Sequence, residues 1–567
     1  MNDYYSLKLK ALLLVLAFTA QTFAAAPRPE MGRNGMVVSA SEYASQIGVD
    51  ILKTGGNAID AAVATAFALG VVEQYSSGIG GGNFIMIYLA EYDSSIAVDG
   101  RETAPGKARR DMYIDKETGL PDSELSRYGI LAGGVPGAVA SLCLALEKYG
   151  SGAVDLQRIL APAIELAENG FIVNRTYYDH LFFAAPLLTR YPASKAIYFK
   201  NDSTVYELGD TLVQKDLAWT YRQIAMNGPN AFYTGEIAEK IVRFDKQHKG
   251  LITAKDLQNY QAKIRPPIRG TYRGYEIISM PPPSSGGVHL IQMLNILEHF
   301  NLPQMGLNSS RYVHTLVEAM KPAFADRAQY LGDSDFADVP IDTLISKGYA
   351  EILRNKINFF QPANVSPGDF ELETEGHTTH LSVVDRWGNM CAITATVNTT
   401  YGSVMTISGT GVILNNEMDD FSAAPGQPNY FGLIGAEANS IQPGKRPLSS
   451  MTPTFVLKDG QGLMALGSPG GPRIITAVLQ TILNVIDFEL DIQEAVAASR
   501  VHHQWKPNIV YLEWNFPLDV AENLVAKGHR VKFGYAGSTV EAIYIDRERG
   551  LLLGGADPRS EGKAVGY

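Results

Sequence analysis

The sequence contains little cysteine. Only Cys143 and Cys391 occur among its 567 residues, and both lie in apolar stretches. We therefore expect two buried thiols that serve as small hydrophobic side chains. The sequence alone leaves a disulfide between them open but does not favour it. A cysteine nucleophile is disfavoured, because no histidine motif lies near either residue.

Positive charge is also in deficit. The chain has 48 Lys and Arg residues against 59 Asp and Glu residues, a net charge of -11, and no run rich in Lys or Arg. This balance argues against nucleic acid as a partner. The glycine-rich residues 76–82 lack the Lys-Ser/Thr pair that closes a phosphate loop. His502 and His503 have no partner at metal-ligand spacing, so we expect no metal and no cofactor.

The N-terminal residues 1–24 have the pattern of a signal peptide. Lys8 and Lys10 precede an apolar run over residues 11–18, and Thr22-Phe23-Ala24 is a small-residue cleavage site. A membrane anchor is the weaker alternative, because this run is too short to span a bilayer and no later run is longer. We therefore expect a soluble, exported protein, periplasmic or secreted, with no membrane anchor after the signal is removed.

Periodicity predicts helices and strands before the centre of the chain. Residues 39–42 fit a capping box ahead of a first helix, and a second, Ala-rich helix is expected at Ala58–Val72. Two paired strands follow at residues 84–89 and 95–98. From residue 133 to about residue 353 the pattern is mainly helical, with interruptions at 266–274 and 280–287.

The stretch from Gly376 to Gly402 reads as a β-hairpin. Leu381, Val383 and Val384 indicate a half-buried strand, and Met390–Thr396 alternates as a second strand. Residues 386–389 are a turn signal. If Arg386 pairs with Asn389, Thr378 lies opposite Val397, with a possible slip of one residue. Either register places Thr396 and Asn398 beside Thr378.

A cleavage before Thr378 would give this hairpin a chemical role. The polar, acidic residues 361–375 read as an exposed linker that ends at His377-Thr378. Thr378 would then become an N-terminal residue whose freed amine activates its own hydroxyl. The alternative is an ordinary hairpin in which the threonines serve only β-propensity.

Three further segments offer groups for a substrate. Arg101 ends the second of the early strands, and its planar fork suits a carboxylate, whereas the plainer interpretation is a surface charge. Glu417 and Asp420 are three residues apart, so one helical turn would face both carboxylates the same way, towards an ammonium group or simply towards solvent. Residues 467–471 (GSPGG) precede an apolar helix near residues 474–485, where glycine N–H groups form an anion site that can act as an oxyanion hole. This segment is not Gly-x-Ser-x-Gly, which disfavours a nucleophile elbow.

Six short stretches in the same order resemble the γ-glutamyltranspeptidase family, and the resemblance covers essentially the whole chain after the signal. They are DGRETAP at residues 99–105, TTHLSV at 378–383, TVNTT at 396–400, NNEMDDF at 415–421, PLSSM at 447–451 and SPGG at 468–471. The resemblance implies the α+β fold of the N-terminal nucleophile hydrolases, an αββα sandwich with two stacked antiparallel sheets between helical layers. It also implies self-cleavage between His377 and Thr378, into a large subunit of residues 25–377 and a small subunit of residues 378–567.

The resemblance also implies residue roles. Thr378 would be the nucleophile, Thr396 would hold its hydroxyl, and the N–H groups of Gly470 and Gly471 would form the oxyanion hole. The substrate α-carboxylate would be bound by Arg101, Ser449 and Ser450, and its α-amino group by Asn398, Glu417 and Asp420. Residues 425–435 would form a lid, with either Tyr430 or Phe431 as its gate.

The function implied is γ-glutamyl transfer and hydrolysis. The expected partners are glutathione and other γ-glutamyl compounds, with water, amino acids or peptides as acceptors. Two alternatives stay open from sequence: a related acylase, acting on β-lactam side chains or poly-γ-glutamate, and a secreted γ-glutamyl-binding protein without catalysis.

Overall fold

The computed structural model describes residues 27–201, 204–363 and 378–567. Its centre consists of two seven-stranded sheets, in each of which neighbouring strands run antiparallel. The signal peptide, the end of the linker and His377 lie outside the described residues, so the predictions made for them stay predictions.

The first sheet contains the predicted hairpin at its middle. In spatial order its strands are Lys563–Gly566, Gly35–Ser39, Thr379–Asp385, Met390–Thr396, Gly82–Leu89, Ser94–Gly100 and Lys263–Arg265. The strand Met390–Thr396 has the predicted bounds, and the two early strands are each slightly longer than predicted.

The second sheet stacks on the first. In spatial order its strands are Glu30–Gly32, Leu551–Ala556, Glu541–Asp546, Gln461–Gly467, Thr454–Lys458, Tyr275–Ser279 and Ile268–Tyr272. The prediction of an interruption at residues 266–274 missed these last two strands, because a short polar hairpin gives little apolar periodicity until its pairing partner is known.

Smaller strands and the helices complete the fold. The small strands are Phe171–Ile172 with Thr211–Leu212, Phe199–Lys200 with Thr204–Val205, Thr406–Ile407 with Val412–Ile413, and Val501–His502 with Val510–Leu512 and Val531–Phe533. The α-helices are Glu42–Lys53, Ala58–Val72, Ser123–Arg127, Ala138–Tyr149, Leu156–Asn169, Arg175–Leu188, Pro192–Tyr198, Lys215–Asn227, Asn230–Tyr233, Glu236–Gln247, Ala254–Asn259, Gly286–Leu297, Leu302–Met305, Ser310–Tyr330, Ile341–Leu344, Lys347–Arg354, Arg473–Ile486, Ile492–Ala497 and Leu518–Ala526.

Three apolar cores separate these layers. One lies between the first sheet and a helical layer that includes Ala58–Val72. A second lies between the two sheets and includes Phe84, Phe455 and Ile543. The third lies between the second sheet and helices such as Arg473–Ile486. The order helix, sheet, sheet, helix confirms the predicted αββα sandwich.

The hairpin register differs by one residue from the register in which Arg386 pairs with Asn389. Thr379 pairs with Ala395 and Val384 with Met390, which places Thr378 opposite Thr396. The cause is Asp385, whose carboxylate accepts the N–H of Trp387 at 2.9 Å and of Asn389 at 3.0 Å and so widens the turn. The strand is also buried throughout rather than half-buried, because layers cover both of its faces.

Two smaller expectations are corrected or met. Ser41 is the N-cap residue of Glu42–Lys53 but makes no side-chain capping bond, so the predicted capping box is wrong. Ser39 instead belongs to a strand. Cys143 and Cys391 are free and buried, as expected of small hydrophobic side chains. Within the described ranges, no helix is both long and apolar enough to cross a membrane.

Candidate active site

Thr378 lies immediately before the strand Thr379–Asp385, at the edge of a cavity. Its Oγ1 is 3.3 Å from Oγ1 of Thr396, on the neighbouring strand. Thr396 Oγ1 also accepts the N–H of Asn398 at 2.8 Å. Because Asn398 has a left-handed backbone, with φ of +81°, its N–H turns back towards the strand end. The Thr396 hydroxyl is therefore held beside Thr378 by the local backbone.

The residues after Thr378 are fixed on both faces of the sheet. On the helical side, Thr379 Oγ1 donates to Glu73 at 2.7 Å, and burial raises the pKa of Glu73. On the side of the second sheet, His380 lies 2.8 Å from Thr394 Oγ1 and 3.1 Å from Ser382 Oγ. Burial lowers the pKa of His380 to about 3, so this ring is neutral at pH 7 and positions the strand.

One small cavity brings most of the predicted residues together. Its volume is about 20 Å³, which is room for roughly one water molecule. The predicted residues that line it are Thr378, Thr396, Asn398, Arg101, Glu417, Asp420, Ser449, Ser450, Gly471 and Phe431. Arg327, which was not predicted, lines it as well. Gly470 and Tyr430, also predicted for the site, are not among the lining residues. A ligand larger than a water molecule therefore enters only if side chains in this cavity move.

Arg101 makes the main ion pairs in this cavity. Its Nη1 pairs with Glu417, its Nη2 donates to Asp420 Oδ2 at 2.5 Å, and its Nε donates to the carbonyl oxygen of Pro447 at 3.1 Å. The Arg101 side chain is only 1% exposed. The plainer interpretations of a surface arginine and a solvated acidic turn are therefore wrong, and the predicted cation and carboxylates lie in contact.

Burial dominates the protonation of the neighbouring carboxyl groups. Desolvation raises the pKa of Glu417 well above its ordinary value, although the positive charge of Arg101 opposes the shift. Desolvation likewise raises the pKa of Glu102, which lies beside Arg101, to about 7. One Oε of Glu417 and both of Glu102 have no hydrogen-bond partner among the described residues. The site therefore has acceptor capacity left for a cationic or hydrogen-bonding ligand.

Arg327 is a site residue that the sequence prediction missed. It lies in the helix Ser310–Tyr330, and its Nε donates to Ser285 Oγ at 3.0 Å while Nη2 donates to Ser450 Oγ at 3.3 Å. The signal was present in the sequence, since Arg327 continues the apolar stripe through Met320 and Phe324 at helical spacing. A charged residue on an apolar stripe indicates a buried partner or ligand.

The glycine loop lies at the other wall. Gly470 and Gly471 have φ of +116° and +59°, and the helix Arg473–Ile486 begins two residues later. A Cβ atom on Gly471 would lie 2.9 Å from the ring of Phe431. The N–H groups of both glycines donate to no atom in the described part of the chain. This leaves their donors open, as an oxyanion hole requires.

Tyr430 and Phe431, the two aromatics of the predicted lid, line different cavities. Phe431 lines the cavity of Thr378, and its carbonyl oxygen accepts from Gln504 at 2.9 Å. Tyr430 lines a larger neighbouring cavity and stacks on the guanidinium of Arg127, 5.1 Å from its ring centre. The loop is tied to the acidic turn, because the N–H of Tyr430 donates to Asp419 at 3.2 Å. Phe431 is therefore the aromatic that closes the inner cavity in this structure.

One histidine cluster has atoms close enough to hold a metal ion. The donor atoms of His314, Glu318 and His529 lie within 4.8 Å of one another and are buried. However, His314 Nδ1 already bonds His529 Nε2 at 2.7 Å, and Glu318 pairs with Lys321 at 2.7 Å. The buried lysine supplies the positive charge that a metal would bring. We therefore assign these residues to an internal polar network.

His502 and His503 are buried in a similar network. His502 lies 2.9 Å from Thr476 Oγ1 and 2.9 Å from Gln504, and His503 lies 3.0 Å from Asn508. Their rings are held by side-chain partners, in accordance with the structural role predicted from their spacing.

The chain is similar to known proteins in both sequence and structure. The chain is 46% identical over 536 residues to a glutathione hydrolase proenzyme of Escherichia coli (strain K12), covering 94% of this chain and 91% of the relative. The crystal structure of cephalosporin acylase from Bacillus halodurans superposes with a TM-score of 0.86 at 30% identity, covering 97% of this chain and 98% of that chain. A crystal structure of Helicobacter pylori γ-glutamyltranspeptidase matches with a TM-score of 0.56 at 44% identity, covering 61% of this chain and 94% of that chain.

A family model also matches most of the chain. The model described as gamma-glutamyltranspeptidase matches residues 44–567, which include both sheets of the sandwich except the short edge strand Glu30–Gly32 and the strand Gly35–Ser39. The chain therefore belongs to the γ-glutamyltranspeptidase family.

Proposed function

We propose that this chain is a self-cleaving γ-glutamyl transferase and hydrolase in which Thr378 is the nucleophile. The family to which it belongs is one of transferases and hydrolases. The observation that carries the assignment of roles is the cavity itself. It holds the paired hydroxyls of Thr378 and Thr396, 3.3 Å apart, opposite Arg101 with its two carboxylate partners.

The first reaction is the cleavage that creates the active residue. The Thr378 hydroxyl adds to the carbonyl carbon of His377, the peptide C–N bond breaks, and the Thr378 nitrogen takes up the hydroxyl proton. Water then hydrolyses the resulting ester, which leaves a carboxylate on His377 and a free amine and hydroxyl on Thr378. Residues 25–377 and 378–567 become the large and small subunits, held together by sheets to which both contribute strands.

The second reaction uses the new amine as a base. A terminal amine has a pKa of about 7.7–8.0, near the best value for a general base at neutral pH. It accepts the Thr378 hydroxyl proton as Oγ1 attacks the γ-glutamyl amide, and it returns that proton to the leaving amine. The open N–H groups of Gly470 and Gly471 receive the developing oxyanion. Water or an acceptor amine then attacks the γ-glutamyl ester and regenerates Thr378.

The polar residues select the γ-glutamyl head group. Glu417 and Asp420 bind its α-ammonium group, with Asn398 beside them. The ammonium group thereby replaces part of the contact that these two carboxylates make with Arg101. Its α-carboxylate is received by Arg101 with Ser449 and Ser450. The near-absence of free volume supports this exchange, since the substrate then replaces ion pairs that already fill the cavity. Phe431 is the gate over it.

Glutathione is the substrate we propose first, because the name of the Escherichia coli relative states glutathione hydrolysis. Other γ-glutamyl compounds share the head group that the cavity recognises. Amino acids or peptides serve as acceptors in addition to water. The N-terminal pattern of residues 1–24 supports export to the periplasm or the medium.

Acylase activity is a second candidate, because the cephalosporin acylase superposes over nearly the whole chain. Comparison of γ-glutamyl anilide with glutaryl anilide separates the two, since the glutaryl group lacks the α-amino group. We expect at least about 100-fold preference for the γ-glutamyl donor, the loss expected when buried carboxylates are left unpaired. Equal rates would favour the acylase and remove the role of Glu417 and Asp420.

The proposed nucleophile is tested by Thr378→Ala, with Thr379→Ala as the matched neighbour. On a denaturing gel, wild type and Thr379→Ala should give two fragments and Thr378→Ala one. N-terminal sequencing of the small fragment should begin at Thr378. Two fragments from Thr378→Ala, or another starting residue, would disprove the assignment.

A further inference from the structure

Arg327 has hydrogen-bonding capacity that no group in the described part of the chain uses. Its Nε and Nη2 donate to the hydroxyls of Ser285 and Ser450, whereas Nη1 donates to no atom in residues 27–201, 204–363 and 378–567. Arg327 is only 5% exposed. Among the described residues this buried guanidinium makes no ion pair, although buried arginines are normally paired with an anion. An anionic ligand would complete its hydrogen bonds.

Arg327 also lies at the cavity of Thr378. Arg327 lines that cavity together with Ser449 and Ser450, and with Asp420 it also lines the larger neighbouring cavity. Its Ser450 contact reaches the loop that carries both serines. A ligand carboxylate that binds the two serine hydroxyls would therefore lie within reach of Arg327.

The charges lining the cavity support the same conclusion. The charged lining residues are Arg101, Arg327, Glu417 and Asp420. Arg101 is already shared between Glu417 and Asp420, so removing Arg327 would leave one guanidinium group for two carboxyl groups in a small, buried space. That arrangement would oppose a substrate carboxylate, because like charges repel strongly where water is excluded. With Arg327 the cavity offers two guanidinium groups beside two carboxyl groups, which suits a zwitterionic head group.

We infer that Arg327 is a specificity-determining residue that binds the α-carboxylate of the γ-glutamyl donor jointly with Arg101 and Ser450. This inference rests on the proposed function and adds a residue to it. The carboxylate lies between the two guanidinium groups, and the α-ammonium group lies on the side of Glu417 and Asp420. Arg327 thereby distinguishes γ-glutamyl donors from donors that lack the α-carboxylate.

The test compares Arg327→Gln with wild type on two anilides. One is γ-glutamyl anilide, and the other is 4-aminobutanoyl anilide, which keeps the amino group and lacks the carboxylate. For γ-glutamyl anilide we expect kcat/KM to fall by about 10- to 150-fold, mainly through KM. This range corresponds to about 1.5–3 kcal/mol for a hydrogen bond to a charged group. For 4-aminobutanoyl anilide we expect kcat/KM to change less than about threefold.

Arg127→Gln is the matched control, because Arg127 lines only the neighbouring cavity. It should keep the wild-type ratio between the two donors. Two fragments on a denaturing gel establish that each variant is folded and cut, and Arg327→Lys takes the place of the Gln variant if the latter stays uncut.

The possible outcomes separate this inference from the proposed function. A selective loss on γ-glutamyl anilide supports the role of Arg327. An equal loss on both donors, or no loss, overturns it, because a residue that only supports Ser285 and Ser450 would not read the carboxylate. A wild-type protein that does not turn over γ-glutamyl anilide would instead refute the proposed function.

Discussion

Replacing Thr396 by valine removes one hydroxyl group from the site and keeps the side-chain shape. That hydroxyl lies 3.3 Å from Thr378 Oγ1 and accepts the N–H of Asn398 at 2.8 Å. Thr396 is 3% exposed, so water does not replace either contact. The variant therefore tests a catalytic contact and a structural contact separately.

The two contacts have different expected magnitudes. Leaving the buried N–H of Asn398 without an acceptor costs about 1–3 kcal/mol of the free energy of unfolding. A neutral hydrogen bond contributes about 0.5–1.5 kcal/mol, so losing the contact with Thr378 lowers kcat by about 2- to 13-fold. KM should change less than about threefold, because the side chain of Asn398 keeps its own bond to the Asn416 carbonyl oxygen at 3.0 Å.

Steady-state kinetics with γ-glutamyl anilide measure the effect on kcat, and urea unfolding measures the effect on stability, both with the cut protein. If the valine variant stays uncut, the rate of self-cleavage is measured in place of kcat. Thr396→Ser is the control, since it retains the hydroxyl and should stay within about threefold of wild-type kcat. The reasoning would be refuted by a cut valine variant with wild-type kcat, or by a serine variant as impaired as the valine variant.

Three further predictions concern the lid, the glycine loop and acid stability. Phe431→Ala should raise the ratio of hydrolysis to transfer, because it opens the inner cavity to water, and Tyr430→Ala should leave this ratio unchanged. Product analysis with an acceptor peptide measures the ratio. Equal shifts in both variants would contradict the prediction. Gly471→Ala should lower the free energy of unfolding by about 1–2 kcal/mol, because residue 471 has a positive φ. It should also lower activity, because the added Cβ atom meets the ring of Phe431. Adding Phe431→Ala should restore part of that activity, which a double-mutant cycle measures. The pKa of His380 is about 3 when folded and about 6.5 when unfolded, so the unfolded state binds more protons between these values and stability falls as the pH drops from 6.5 towards 3. His380→Gln should reduce the loss of stability between pH 6 and pH 5 by about 1.2 kcal/mol in urea unfolding, and an unchanged loss would show that this ring titrates normally.

Local patterns were sufficient for some of the regular elements. The helix Ala58–Val72 and the strand Met390–Thr396 have the predicted bounds, because their apolar residues repeat at the period of a helix or strand and turn residues flank them. The hairpin register was off by one residue. Its turn is set by the side chain of Asp385, which a count of paired residues does not include.

The candidate site was predictable only in part. Family motifs named Arg101, Glu417 and Asp420, and the spacing of the last two residues placed their carboxylates on one turn. Their contact with Arg101 joins positions 316 and 319 residues apart, so no local pattern could describe it. The same limit applied to Arg327, which lies outside every motif and enters the cavity from the helix Ser310–Tyr330.

The amino-acid sequence by itself determined the hairpin that carries Thr378, through periodicity and turn chemistry, and the family, through short motifs, since all of these are local properties of a chain. The sandwich architecture followed from the resemblance to that family. Only the tertiary structure decided that Phe431 rather than Tyr430 faces Thr378, that the carboxylates of the acidic turn hold Arg101, and that a second arginine joins them. These arrangements depend on which distant segments pack together, and packing is decided by the burial of the whole chain rather than by neighbouring residues.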